Sequence, residues 1–203
     1  MTVAVVDYGI GNLGSAHKAL VHIGAPAVLT SSVAVIERAD AVVLPGVGAF
    51  GACMRALRDA GLVGPVMAAI ADGRPFLGIC VGMQMLFEGS DESPAVPGLG
   101  AIEGRITKLP ATVKLPQIGW NTVERGPQAQ MFDGLEAAPW MYFVHTYAVS
   151  GCADAVVAGW CDYGVRFACA LERDRLWATQ FHPEKSGSEG LALLANFAAA
   201  AAY

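Results

Sequence analysis

Through the first half of the chain, short runs of β-branched and aliphatic residues alternate with stretches whose apolar positions recur at helical spacing. Val3–Asp7, Ala27–Thr30, Ala41–Leu44 and Phe76–Ile79 read as strands, and Asn12–Ile23, Ala52–Ala60, Leu62–Asp72 and Val81–Phe87 as helices. Buried strands joined by helices predict a parallel sheet covered on both faces. From about residue 100 the texture changes to strand after strand: Ala101–Leu109, Gly119–Glu124, Met141–Val144, Ala155–Trp160, Arg166–Leu171 and Leu176–Gln180. A closing helix is predicted from about Ser188 into the alanine-rich tail. The most loop-like stretch, EGSDESPAVPGLG (Glu88–Gly100), is too short for an interdomain linker, and no internal repeat is present. The expectation is one α/β domain over residues 1–203, with a mostly parallel central sheet, helices on both faces and a strand-rich second half.

Composition narrows the class. With 203 residues, 54% of them hydrophobic, and a mean hydropathy of +0.45, the chain can bury one substantial core. The longest apolar stretch, Leu191 to Tyr203, is broken by Asn196 and falls short of the roughly 18 residues a membrane span needs. The chain opens directly into a strand-like TVAVV without a basic leader, which points away from secretion and to the cytoplasm. A formal charge of −5 without any Lys/Arg block argues against extended nucleic-acid binding. Five cysteines at irregular spacings fit neither a disulfide framework nor zinc pairs. At least one of them needs a separate explanation.

In an open parallel sheet, ligands bind beyond the carboxyl ends of the strands. Three segments follow predicted strands there: DYGIGN, LPGVGAFG and GICVGMQ. In the third, Gly78-Ile79-Cys80-Val81-Gly82 has the G-x-nucleophile-x-G form of a strand–turn–helix elbow, where small residues relieve crowding around a strained nucleophile. A helix N-terminus favours thiolate over thiol at Cys80. Such a nucleophile needs a base and the base an orienting group. His182 and Glu184 in QFHPEKS, just after the last predicted strand and with Pro183 fixing the backbone between them, supply both. His17 and His22, on the first helix, read as packing or solvent-facing residues, and His145 in FVHTY as a positioning residue. An oxyanion needs about two fixed donors. The Val81 N–H is one, and the Pro45-Gly46-Val47-Gly48 loop offers that of Val47 or Gly48 as the other. Cys53, Cys152, Cys161 and Cys169 read as buried small apolar residues.

Together, LPGVGAFG, GICVGMQMLFEGS, GWN, YFVHTY and QFHPEKS resemble the class I, triad-type glutamine amidotransferases, and among them the glutaminase subunits of imidazole glycerol phosphate synthase of histidine biosynthesis. The resemblance runs in order from residue 3 to about residue 190. It implies a flavodoxin-like fold, hydrolysis of glutamine through a Cys80 γ-glutamyl thioester, and passage of the ammonia through a tunnel to a separate (β/α)8-barrel synthase subunit in a heterodimer. That subunit makes imidazole glycerol phosphate and an aminoimidazole carboxamide ribotide. No cofactor or metal is implied. Carried over by position, Cys80, His182 and Glu184 form the triad, and glutamine lies near Gly48, Gln84, Thr146 and Tyr147. Asn12, Trp120 and Lys185 face the synthase subunit. The segment LPQIGWN departs from the family's common LPHMGWN by placing Gln117 where a histidine is usual.

Other readings compete. Gly9, Gly11 and Gly14 have the G-x-G-x-x-G spacing of a dinucleotide site. The acidic residue required about twenty positions on is missing, since Leu29-Thr30-Ser31-Ser32 stands there. This disfavours a small NAD(P)-binding oxidoreductase and leaves Gly9–Gly11 as a tight loop beside the site. A non-catalytic scaffold would have no need of all three triad residues. A glutaminase serving another synthase is the nearest rival.

Overall fold

The computed structural model describes residues 1–10 and 12–201. Its elements run in the order β1 (Val3–Val6), α1 (Leu13–His22), β2 (Ala27–Thr30), α2 (Val33–Arg38), β3 (Ala41–Gly46), α3 (Phe50–Asp59), α4 (Val63–Ala71), β4 (Phe76–Cys80) and α5 (Val81–Met85). Strands then dominate: β5 (Arg105–Lys108), β6 (Gln117–Thr122), β7 (Glu124–Arg125), β8 (Trp140–His145), β9 (Tyr147–Ser150), β10 (Val157–Asp162), β11 (Arg166–Arg173) and β12 (Leu176–Thr179). The helix α6 (Gly187–Ala200) closes the fold.

The central sheet has eight strands in the order β2-β1-β3-β4-β12-β11-β10-β7. The first five are mutually parallel, whereas β11, β10 and β7 add on antiparallel. The parallel strands β1, β3, β4 and β12 are buried along their whole length, as strands covered on both faces must be. Right-handed crossovers place α1 on one face and the helices between β2 and β12 on the other, because the first crossover runs opposite to the rest. α6 packs beside α1, and α2 beside α4. The spacing Phe50, Cys53, Met54 and Leu57 seats α3 on the sheet by a single apolar stripe. Two antiparallel ribbons, β5 with β9 and β6 with β8, lie outside the central sheet. Among the described residues no helix is long and apolar enough to cross a membrane.

The register decides where chemistry can occur. Gly46 at the end of β3 pairs with Cys80 at the end of β4, and Ile79 of β4 pairs with Thr179 of β12. The loop after β3, the turn after β4 and the segment after β12 therefore leave the sheet side by side at its carboxyl edge.

Several expected elements change in extent. Within Ala101–Leu109 only Arg105–Lys108 is a strand, and Ala155 and Val156 belong to a 3-10 turn preceding β10. α2 and β9 were not anticipated. The helical tail ends at Ala200, while residues 202 and 203 lie outside the described residues, as does Gly11 of the expected glycine loop. Gly9 does turn the chain, at φ +83°, with its N–H on the Asp7 carboxylate. A Cβ added at Gly14 would meet nothing within 4 Å. That position lacks the close helix–strand packing which gives the third glycine of a dinucleotide fingerprint its purpose.

Candidate active site

The elbow at Cys80 is built by backbone crowding. Cys80 sits at φ 55° and ψ −112°, left-handed territory that a non-glycine residue occupies only when its surroundings enforce it. Here the enforcement comes from β3. A Cβ at Gly82 would collide with the carbonyl oxygen of Leu44, and one at Gly46 would lie 2.7 Å from the Gly82 nitrogen. These two glycines allow α5 to start directly against the neighbouring strand, with Val81 as its first residue. First-turn N–H groups of a helix have no acceptor within the helix, so the Val81 amide is available to a ligand.

The segment after β12 is clamped from the ribbon. The His182 N–H donates to the Tyr142 carbonyl at 2.9 Å, and the Tyr142 N–H donates to Ser186 Oγ at 3.0 Å. Ser186 Oγ in turn donates to the His182 carbonyl at 2.6 Å, and Pro183 opens a 3-10 turn. Held in this way, His182 Nδ1 lies 2.7 Å from Glu184 Oε1, both side chains all but inaccessible to solvent. The carboxylate can only accept, so Nδ1 carries a hydrogen. Nε2 is buried without a hydrogen-bond partner of its own and has the Cys80 sulfur as its electrostatic neighbour. Burial alone would lower the His182 pKa, but the facing sulfur and Glu184 outweigh it and raise it from 6.5 to about 9.

A pH-dependent stability follows from that shift. Below pH 6.5 folded and unfolded chains both hold the proton, so the contribution is complete; it is lost as pH rises through about 9. In thermal denaturation the advantage of the wild type over His182→Gln is expected to be greatest below pH 6.5 and to disappear above about 9. An advantage constant over that range would contradict a favoured imidazolium.

Cys80 and His182 share a cavity of about 260 Å³ with Val47, Gly48, Val81, Gln84, Thr146 and Tyr147. The structure thus brings together the expected nucleophile and its histidine with the expected oxyanion and substrate residues. Its volume suits a free amino acid and falls below the usual range for larger ligands. Val47 has its carbonyl fixed by Cys53, whose thiol donates to it at 3.2 Å. Because the peptide is trans, the Gly48 N–H points away from that bond.

The remaining expected residues lie around this cavity. Asn12 Nδ2 reaches Glu184 Oε1 at 3.5 Å, while its Oδ1 accepts from Ser15 Oγ at 2.8 Å. Trp120 is 52% exposed and packs edge-on against Tyr142, with Lys185 Nζ 5.9 Å from the Tyr142 ring centroid. His145 donates from Nδ1 to the Tyr147 carbonyl at 2.9 Å and has no carboxylate partner; burial lowers its pKa to about 4, leaving it neutral. His17 bonds to the Ala27 carbonyl. One cysteine reading needs correction, and another gains a role. Cys152 is only partly buried, because it lies in the exposed turn after β9, and Cys53 is a hydrogen-bond donor as well as a core residue.

Sequence reasoning missed Glu92 and Gln180. Glu92, in the acidic loop, lines the cavity and accepts the Phe50 N–H at 2.7 Å, supplying the cap that α3 lacks locally. Its signal was an acidic loop directly after the elbow helix. Gln180 is fully buried beside Cys80, and no spacing rule marked it.

Comparison with known proteins gives the same picture. The family model described as glutamine amidotransferase class-I matches residues 4–201. Imidazole glycerol phosphate synthase subunit HisH of Methanothermobacter thermautotrophicus is 48% identical over 195 residues, spanning 96% of both chains. The protein of the same name from Dechloromonas aromatica is 47% identical, over 97% of this chain and 95% of its own. Among solved structures, a glutamine amidotransferase superposes with a TM-score of 0.79 at 21% identity, covering 99% of each chain. PurLQS from Thermotoga maritima superposes with a TM-score of 0.75 at 16% identity, covering 97% of this chain and 96% of that one. The structural matches establish the fold; the sequence matches show that the chain belongs to the class I glutamine amidotransferase family, among the HisH subunits of imidazole glycerol phosphate synthase.

Proposed function

We propose that the chain hydrolyses glutamine to glutamate and ammonia at Cys80 and delivers the ammonia to a cyclase partner, the two together forming imidazole glycerol phosphate synthase. The observation that carries the chemistry is a buried His182–Glu184 pair held at 2.7 Å in the same cavity as an elbow cysteine. The Cys80 proton resides on His182 Nε2 before attack, as the raised His182 pKa favours, and the sulfur attacks the side-chain amide carbon of glutamine. The N–H of Val81, with that of Gly48 or Val47, stabilises the oxyanion. Collapse breaks the C–N bond, the proton on His182 goes to the departing nitrogen, and ammonia leaves behind a γ-glutamyl thioester. Water, deprotonated by His182, then releases glutamate and restores the thiol. Glu184 fixes the imidazole tautomer throughout.

Cavity chemistry suits glutamine. Glu92 is its lining carboxylate and the natural partner of the α-ammonium. Gln84 spends both amide hydrogens on the protein, at the Tyr147 carbonyl (3.1 Å) and Gln180 Oε1 (3.0 Å). It therefore offers a ligand an acceptor, its Oε1, beside Thr146 and Tyr147 in the lining. The test is equimolar release of glutamate and ammonia from glutamine in the presence of the partner; no glutamate in any mixture would overturn the reading.

The partner face is the outer side of the β6–β8 ribbon. Its paired register puts Ile118, Trp120 and Trp140 on one side, and these are 63%, 52% and 56% exposed. An aromatic and aliphatic patch of this kind, with Lys185 and Asn12 at its margin, fits the (β/α)8-barrel cyclase subunit better than water. Trp120→Ala is expected to weaken the complex by about 10- to 100-fold, as loss of a central aromatic anchor does. Calorimetric titration checks this; an unchanged Kd would move the interface elsewhere.

A further inference from the structure

We propose that Gln180 is a side-chain N–H donor to the Cys80 sulfur, aimed by a hydrogen-bond relay that starts at the backbone of β9. The proposal rests on Cys80 being the nucleophile of the glutaminase reading. Gln180 follows β12 directly, is fully buried, and has Nε2 3.8 Å from Cys80 Sγ. Its own N–H is tied to the Cys169 carbonyl at 2.8 Å, so the residue is anchored in the sheet rather than hung on a loop.

The orientation of the amide at the sulfur follows from elimination along the relay. A backbone carbonyl can only accept, so the part of Gln84 that meets the Tyr147 oxygen at 3.1 Å is its NH2 group. The second hydrogen of that NH2 points to Gln180 at 3.0 Å, so the Gln180 atom facing it is the oxygen. The remaining atom of the Gln180 amide, the one beside Sγ, must then be the nitrogen. Reversing either amide would set donor against donor or acceptor against acceptor between two buried side chains. The sulfur consequently faces a fixed donor, whose bond is weak to a thiol and charge-assisted to a thiolate. The interaction favours the attacking form and holds it in place. It also joins the nucleophile to a residue that lines the substrate cavity, through one bond to Gln84.

Two variants separate this role from plain packing. Gln180→Leu removes the donor and the bond to Gln84. Gln180→Glu keeps an oxygen for Gln84 but turns an ionisable oxygen toward the sulfur. The other titratable groups that act on the sulfur, His182 after β12, Tyr8 beyond β1 and Cys53 in α3, are unaltered in both. The measurement is the rate of Cys80 alkylation by iodoacetamide in the full chain, followed by peptide mass, at neutral pH and on the alkaline plateau. The ratio of the neutral to the plateau rate is expected to fall about tenfold in Gln180→Leu and further in Gln180→Glu. A packing role changes the plateau and leaves the ratio alone. A ratio within about twofold of the wild type, in either variant that folds, overturns the proposal. Iodoacetamide borrows nothing from glutamine, so a wild-type chain that released no glutamate would refute the glutaminase reading and leave this result standing.

Discussion

Cys80→Ala is expected to lower glutamate release by about ten-thousand-fold or more, to the level set by binding and the oxyanion donors alone. The size of the effect comes from the geometry. Among the described residues no other cysteine lies in the cavity lining, so no second thiol can take over the attack. Because the triad acts as a unit, adding His182→Gln to Cys80→Ala is expected to cost little beyond the single change. Steady-state glutamate assays on the complex check both variants. A Cys80→Ala chain that kept a tenth of the wild-type rate would remove Cys80 from the mechanism.

Gly82→Ala is expected to be the most damaging small substitution in the fold. Its methyl group would occupy the position of the Leu44 carbonyl oxygen, a backbone atom in the middle of a buried strand that cannot swing aside. Either β3 and β4 separate or the elbow unwinds, with a cost of about 3 kcal/mol or more. For a chain of this size that is a fall in Tm of roughly 6–12 °C. Thermal unfolding measures it directly, and activity is expected to fall further than the folded fraction, because any relief moves Cys80. An unchanged Tm would mean that the strand and the elbow are not packed as described. Gly14→Ala is the internal contrast: nothing lies within 4 Å of its Cβ, so the substitution is expected to be stabilising or neutral.

Much of this could be read in advance, for identifiable reasons. β1, β3 and β4 are short apolar runs bounded by polar or glycine turns, so their period and length leave little choice. The residues of the proposed triad stood out because each sits at a sequence feature with a mechanical purpose: the glycines around Cys80, and the proline between His182 and Glu184. What escaped depends on partners distant in the chain. YFVHTYAVS is a continuous β-prone run with no glycine or proline to mark a break. The chain nevertheless leaves β6 at His145 and pairs with β5 from Tyr147. That switch is set by which strand lies alongside, not by local propensity. α2, VAVIER, has β-branched residues at half its positions and buries only Ile36; its helix is imposed by packing on α4. Glu92 and Gln180 act through bonds to Phe50, Gln84 and Cys80, residues brought near only by the completed sheet.

Glutamine hydrolysis at Cys80 and its coupling to a synthase partner stand or fall in one measurement. The most direct test measures glutamate release by this chain alone and in complex with the proposed cyclase partner, with Cys80→Ala as control. The expected rate rises by orders of magnitude in the complex and vanishes in the variant. Equal rates with and without the partner would contradict the coupling, and turnover that survives in Cys80→Ala would contradict the chemistry.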